Sequence, residues 1–316
     1  MQGRSVFLSM TRSAGAQMLD TYLQILVSGL AMGAIYTLTA KGLFIAHLAT
    51  HKLNFGQGDF LMVGAFLSMS MILAGIPVLL TALLVLIAMG LLGWGLERFA
   101  IRPLDRFGLG AGGGTYSWIL TTAGVALILQ NIAELVWGKS SHYSPPLFSE
   151  GRDNVIEIAG INLFAEEIFV IGFATVVVVF FYYMLFRSRW GRAVYAVAFN
   201  PEAAMLLGID VRRTVVLVFV LASLLAGISG ILIGPLITIH PHIGLTFTIK
   251  ALAVAAIGGF SNPIGILIGG LLFGVTEAFS NYFDSAFGDL YPLIFVLIFL
   301  AFRPSGLYGE ARADVR

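Results

Sequence analysis

Apolar residues along this chain come in long runs separated by short polar intervals, with little alternation of the kind a water-facing strand would show. The runs lie at about Tyr22 to Ala46, Leu53 to Ala74, Pro77 to Leu96, Tyr116 to Trp137, Ile168 to Phe186, Thr214 to Ile239, Phe247 to Phe260, Ile264 to Phe283 and Leu290 to Phe302. A bilayer core about 30 Å thick takes about 20 apolar residues per helical span, so these runs predict membrane helices. The seventh is too short and too rich in glycine to cross comfortably. A transmembrane β-barrel would alternate apolar and polar residues over segments of about ten, and no such pattern occurs. The expected fold is an all-α polytopic membrane protein with about 8 to 10 transmembrane helices, some broken or re-entrant at glycine-rich segments.

Composition agrees with that class. The 316 residues are 58% hydrophobic and 11% charged, and the mean hydropathy is +0.93. No soluble domain of ordinary composition has such a balance. The net charge of +1 gives no basis for a nucleic-acid partner, and none is expected. Cysteine is absent, which excludes disulfides, thiolate catalysis and cysteine metal sites. Arg4 and Arg12 precede only a short apolar patch, so Met1 to Gln17 reads as a loose extension and not as a secretory signal.

Charge placement carries the orientation. Arg98, Arg102 and Arg106 fall in one loop, and Arg187, Arg189, Arg192, Arg212 and Arg213 in another; two spans separate the loops, so both lie inside. The interval Lys139 to Glu167 is then outside. It holds five acidic and two basic residues, and its "VIEIAGINLF" predicts a small hairpin around the glycine. Nine full spans would put the N-terminus outside, against the pull of Arg4 and Arg12; eight spans with a re-entrant piece, or ten, would put it inside. Four-residue glycine spacings at Gly29/Gly33, Gly230/Gly234, Gly265/Gly269 and Gly270/Gly274 predict close helix packing within the chain.

Among the most polar stretches is the one that begins at Gly191 and Arg192 and continues as "AVYAVAFNPEAAMLLGIDVRR", residues 193–213. Asn200 suits a helix N-cap, Pro201 the first helical position, Glu202 the positive end of the dipole, and Gly208 a left-handed stop. A helix of about two turns results, too short to be stable alone, with Asp210 capping the next one. Its apolar residues Ala203 to Leu207 suit either a groove on another protein or a seat on the bundle or in the membrane interface.

"EAAMLLG", Glu202 to Gly208, resembles the EAA-x3-G cytoplasmic loop of ABC importer permeases. Together with "SGLAMGAIYTLTAKGL", "LNFGQGDFLMVGAF", "ERFAIRPL", "TTAGVALILQNIAELVWG", "FTIKALAVAAIGGFSNPIGILIGGLLFG" and "FRPSGLYG", it is similar to the shorter permease of the high-affinity branched-chain amino acid ABC transporter family. The resemblance spans nearly all of residues 20–309. It implies a permease domain at 20–309, with an external loop at 139–167 and a cytoplasmic coupling loop at 187–213. Residues 1–19 are then an N-terminal extension and 310–316 a tail. It further implies an inner-membrane importer of bacterial type. Its partners would be a second, longer and non-identical permease, two cytoplasmic ATPases holding ATP and Mg, and an external solute-binding protein, all assembled in membrane lipid. In such a complex Asn200, Pro201, Glu202, Ala203, Ala204, Leu207 and Gly208 would couple this chain to an ATPase. One such loop serves one ATPase, and paired ATPases need two.

The chain itself has no G-x4-GK-[ST] phosphate loop, so no nucleotide, cofactor or enzymatic activity is assigned to it. "GAGGG" at Gly110–Gly114 lacks the following lysine and reads as a linker. His47/His51 and His240/His242 lack a carboxylate companion, so no metal site is expected.

A charge at the bilayer centre costs at least about 2.5 kcal/mol and usually faces protein or a water-filled cavity. Lys41, Glu134, Lys250 and Glu277 are therefore candidates for the pathway, with Asn54, Gln57, Asp59, Gln130 and Asn131 as companions. The alternative for the lysines is structural: snorkelling, or neutralisation by Glu134 or Glu277. The resembling family usually opens its second segment with an Asn-Phe-Ala-His-Gly-like string, whereas Asn54-Phe55-Gly56-Gln57-Gly58 lacks the histidine. Lys41 and Glu134 depart from the family's pattern too. The ligand is thus a branched-chain amino acid or a related small amino acid, amide or carboxylate. A secondary transporter or channel for a small polar solute would share the composition but would need neither the docking helix nor an ATPase.

Overall fold

The computed structural model describes residues 2–103, 115–147, 155–158, 161–260 and 262–308. The Gly110–Gly114 linker lies outside these. The helices are α1 (Gln2–Thr50), α2 (Gln57–Leu73), α3 (Val78–Gly95), α4 (Thr115–Trp137), α5 (Ala165–Arg187), α6 (Arg189–Phe199), α7 (Pro201–Leu206), α8 (Val211–Ile233), α9 (Ile243–Gly258), α10 (Pro263–Phe283) and α11 (Leu290–Phe302). Leu96–Ile101 prolongs α3 as a π-helical turn. Six described helices are long and apolar enough to cross a membrane: Asp20–Thr50, Val78–Ile101, Ser117–Trp137, Ala165–Arg187, Val211–Ile233 and Pro263–Phe283. Three apolar helices are shorter: Gln57–Leu73, Ile243–Gly258 and Leu290–Phe302.

Several expected boundaries change. Met1 to Gln17 is not a loose extension: from Gln2 onward it is helical and continuous with the first span. Adding residues to an existing helix avoids the cost of nucleation, and no proline interrupts this stretch. The second run begins as a helix at Gln57 and not at Leu53, because Lys52, Leu53 and Asn54 are irregular and Phe55 and Gly56 form a turn. Asn54 Oδ1 there accepts from the Gly56 N–H at 3.0 Å, a local alternative to the helical bond. The sixth run stops at Ile233, short of the expected Ile239. Pro235 and Pro241 follow it, neither with an N–H to extend a helix.

The centre of the bundle is α1, packed on α5, α8, α9 and α10, while α8 also carries α2 and α3. Tyr36, Phe44, Leu38 and Ile35 of α1 are fully buried. The expected glycine packing is within the chain. A Cβ on Gly274 of α10 would overlap Gly29 and Gly33 of α1, so the two backbones touch there. In lipid, where apolar burial gives no drive, that proximity supplies the dispersion contact.

The two ends of α1 have different surroundings. Ser28 Oγ donates to Glu167 at the start of α5, while His51 Nε2, just past α1, lies 3.0 Å from the Ala198 carbonyl of α6. The Asp20 end therefore shares a side with the loop before α5, and the Thr50 end lies with the arginine-rich loop. The predicted hairpin is present as β1 (Val155–Ile158) and β2 (Ile161–Phe164), antiparallel with Glu157 opposite Asn162.

Candidate translocation site

Two short helices begin inside the bundle. Gln57, the first residue of α2, donates from Nε2 to the Ala222 carbonyl at 2.9 Å, near the middle of α8. The first two turns of α9 lie against the start of α2: the Gly58 N–H donates to Thr248 Oγ1 at 2.9 Å, and Thr248 in turn donates to the Phe55 carbonyl at 3.2 Å. A Cβ on Gly58 would overlap the Gly244 carbonyl, and one on Gly244 would overlap Asp59. Glycine at both positions is what lets the helix starts meet.

The helix dipole makes each start positive. Asp59, in the first turn of α2 and 1% exposed, supplies the complementary charge. Asn54 and Gln57 are buried beside it, with Asn54 Nδ2 donating to Gln57 Oε1 at 3.4 Å. From α4, Thr122 Oγ1 accepts from the Phe55 N–H at 3.3 Å. Gln130 Nε2 donates to Asp59 Oδ1 at 2.8 Å. The predicted group Asn54, Gln57, Asp59 and Gln130 thus comes together at one depth, drawn from α2, its preceding turn and α4.

A polar chain leads from this junction to the open face. Gln130 Oε1 lies 3.4 Å from His242 Nδ1, His242 Nε2 lies 2.9 Å from Glu134 Oε1, and Lys139 Nζ lies 3.5 Å from Glu134 Oε2. The side chain of His242 is 66% exposed. Asn131 is exposed on the same helix, with Nδ2 turned back to the Leu127 carbonyl at 2.7 Å. It does not reach the junction. Little of α4 is covered by the rest of the chain, so Gln130, Asn131 and Glu134 stand on an open face of a helix otherwise suited to lipid.

The remaining charged candidates form separate centres. Lys250 Nζ lies 2.9 Å from Glu277 Oε1 and 2.9 Å from Asp289 Oδ1, and Tyr36 donates to the same Glu277 oxygen at 2.8 Å. The neutralised alternative therefore describes Lys250. Lys41 is 1% exposed and donates to the Pro263 carbonyl at 2.6 Å, 5.7 Å from the Phe181 ring centroid. Glu134 does not neutralise it; that carboxylate faces His242 and Lys139. Tyr36, Asp289 and Thr248 were missed by sequence reasoning, because each is far along the chain from its partner. His242 was set aside there for want of a carboxylate companion; the fold supplies one in Glu134, 2.9 Å from Nε2 and 108 residues away along the chain.

On the arginine-rich side, α7 follows α6 after one residue. Asn200 Oδ1 caps it by accepting from the Ala203 N–H at 3.0 Å. The Ile209 N–H donates to the Ala204 carbonyl and the Gly208 N–H to the Met205 carbonyl, each at 3.0 Å. That paired closure requires a left-handed residue, and Gly208 has φ of 80°. Asp210 then caps α8 by accepting from the Arg213 N–H. Ala204 is buried, whereas Met205, Leu206 and Leu207 are 56%, 90% and 79% exposed. Among the described residues, no cluster of three or more His, Cys, Asp and Glu side chains could hold a metal ion.

A many-helix membrane bundle with two short helices starting inside it and a polar face left open has the architecture of a transport protein. The chain belongs to the family described as "Branched-chain amino acid transport system / permease component", whose model matches residues 25–302. It is accordingly a multi-pass permease of the cytoplasmic membrane. It is 31% identical to the high-affinity branched-chain amino acid transport system permease protein BraD of Pseudomonas aeruginosa, over 93% of this chain and 97% of that protein. It is 27% identical to the corresponding LivH of Escherichia coli strain K12, again over 93% and 97%. Among solved structures, PsaBC from Streptococcus pneumoniae in complex with Fab shares the fold, with a TM-score of 0.51 and 12% identity over 93% of this chain and 98% of that one.

Proposed function

We propose that this chain is one of two related, non-identical permeases of a binding-protein-dependent importer, and that α7 couples it to one of two cytoplasmic ATPases carrying ATP and Mg. The observation that carries this is α7 itself. Met205, Leu206 and Leu207 leave their side chains exposed on a helix closed at both ends. Exposed apolar side chains on so short a helix are best explained by a cleft on a partner, as in other helix-in-groove contacts. The rest of the complex follows from this reading: an external solute-binding protein delivers the ligand, and the chain itself needs no cofactor. The names of the relatives support a branched-chain amino acid as the ligand, or a related small amino acid, amide or carboxylate.

In this reading α2 and α9 are the broken elements of the bundle, with α9 re-entrant, and the pathway runs along the face of α4 toward the second permease. Gln130, Asn131, Glu134 and His242 line it. Asn54, Gln57 and Asp59 hold Gln130 from behind, while Lys250, Glu277 and Lys41 brace the bundle. Gln130→Leu, measured in the complete transporter, is expected to lower uptake at least tenfold while leaving extraction yield near that of the wild type. Unchanged uptake would remove the α4 face from the pathway.

Coupling has its own test. Gly208→Val puts a β-branched residue where φ is 80° and misplaces α7. In the correctly inserted complex, ATP hydrolysis stimulated by the loaded binding protein should fall together with transport. The same is expected of Glu202→Lys, which opposes the helix dipole. Wild-type stimulation in both variants would refute the assignment of α7.

A further inference from the structure

The arginine-rich side carries a feature that the pathway does not use and that α7 borders through Met205. Where α3 ends in its π-helical turn beside the start of α8, two adjoining clefts of about 550 and 570 Å³ open. Arg102 and Arg212 line both, and Arg98 and Arg213 line the first. The two carboxylates at the clefts leave a net positive charge. Asp210 is engaged twice, by its cap to the Arg213 N–H and by an ion pair at 2.9 Å to Arg213 Nε, and Glu97 is 4% exposed.

The other wall of the first cleft is apolar and begins in the spans: Trp94 of α3, 45% exposed, with Val216 and Leu217 of α8. Trp94, Arg98 and Arg102 recur at intervals of four, so one edge of α3 runs from an aromatic ring to guanidinium groups. A tryptophan commonly marks the bilayer boundary, and basic clefts between helix ends at that boundary suit anionic lipid headgroups. An acidic segment of a soluble protein would match the charge but not the apolar wall that continues into the spans.

We infer that these clefts hold the headgroup of an anionic phospholipid, its phosphate against Arg98, Arg102 and Arg212 and its acyl chains along Trp94, Val216 and Leu217. Met205 and Ile209, which line the second cleft, place this lipid directly beneath the α7 loop. On the coupling reading above, the lipid would support that loop when the ATPase pulls on it.

The test uses the complete transporter, extracted from phosphatidylcholine vesicles with and without phosphatidylglycerol, with retained lipid counted by native mass spectrometry. Wild type should keep phosphatidylglycerol in preference to phosphatidylcholine. Each change among Arg98→Gln, Arg102→Gln and Arg212→Gln should cut that preference about fivefold, from roughly one unit of surface electrostatic attraction per arginine. The triple Arg→Lys variant, which retains the charge, should keep most of it. Equal retention of both lipids by the wild type, or unaltered preference in the triple Gln variant, would overturn the inference. So would displacement of the lipid by inorganic phosphate, which would assign the clefts to a soluble anion. Loss of the ATPase subunit with lipid retention intact would assign them to a protein contact. If lipid retention behaves as expected while Gly208→Val couples normally, the lipid site stands and the coupling reading alone fails.

Discussion

Lys250→Met is expected to remove most of the folded protein. Lys250 is the only cation within ion-pairing distance of Glu277 among the described residues, and both side chains are more than nine-tenths buried. Without the ammonium, the Glu277 carboxylate would keep only the Tyr36 hydroxyl at Oε1, and its Oε2 already has no hydrogen-bond partner. Breaking one side of a buried ion pair costs about 3–5 kcal/mol. Against a net stability of about 5–15 kcal/mol, that is enough to collapse the yield. Detergent extraction followed by size-exclusion chromatography and a melting curve measures it. Adding Glu277→Gln should restore part of the loss, because the uncompensated charge goes with it. Tyr36→Phe should cost less, about 1.5–3 kcal/mol, the scale of hydrogen bonding to a charged group, because its hydroxyl donates to Glu277 and accepts from Lys250. Wild-type yield and melting in Lys250→Met would show that the pair does not hold the fold.

Gly58→Ala is expected to abolish transport by one methyl group. The new Cβ would overlap the Gly244 carbonyl and the Thr248 backbone nitrogen, neither of which can swing aside as a side-chain tip can. The starts of α2 and α9 must part, and the Gly58 N–H to Thr248 bond is lost with them. Forcing atoms into a packed interior costs about 1–3 kcal/mol, and here the strain falls on the junction that orients Asp59 and Gln130. Uptake should drop at least tenfold, with a lower melting temperature. The control is Gly172→Ala in α5, where nothing lies within 4 Å of the added Cβ. That change should be neutral or stabilise the helix by up to about 1 kcal/mol. If Gly58→Ala transports normally, the close approach of the two helix starts has no bearing on function.

Some elements were legible because the physics that forms them is local. The α7 helix needs only Asn200 to cap it, Pro201 to start it and Gly208 to end it, all within nine residues. The hairpin at Val155–Phe164 likewise follows from β-branched residues on either side of one glycine. The second run was overextended because part of what ends it lies elsewhere in the chain. Hydropathy counts Leu53 and Phe55 as helix, but Asn54 bonds its own backbone, and Thr122 and Thr248 satisfy the turn from other helices. Nothing within the run itself announces those threonines.

The amino-acid sequence alone determined that the protein lives in the bilayer, roughly where its apolar spans lie, though not the helical start before Tyr22, and which loops carry the basic charge. Each depends on residue transfer free energies and short-range backbone bonds, which neighbours in the chain supply. The tertiary structure alone decided which buried charges are paired and which polar groups share a site. Lys250 meets Glu277, Asp289 and Tyr36 across separations of 27, 39 and 214 residues. Gln130 reaches Asp59 across 71 and His242 across 112. Such partners are selected by helix packing, because an intramembrane charge or amide lowers its energy with whichever partner the bundle brings within about 3 Å. That choice leaves no periodicity or spacing in the sequence.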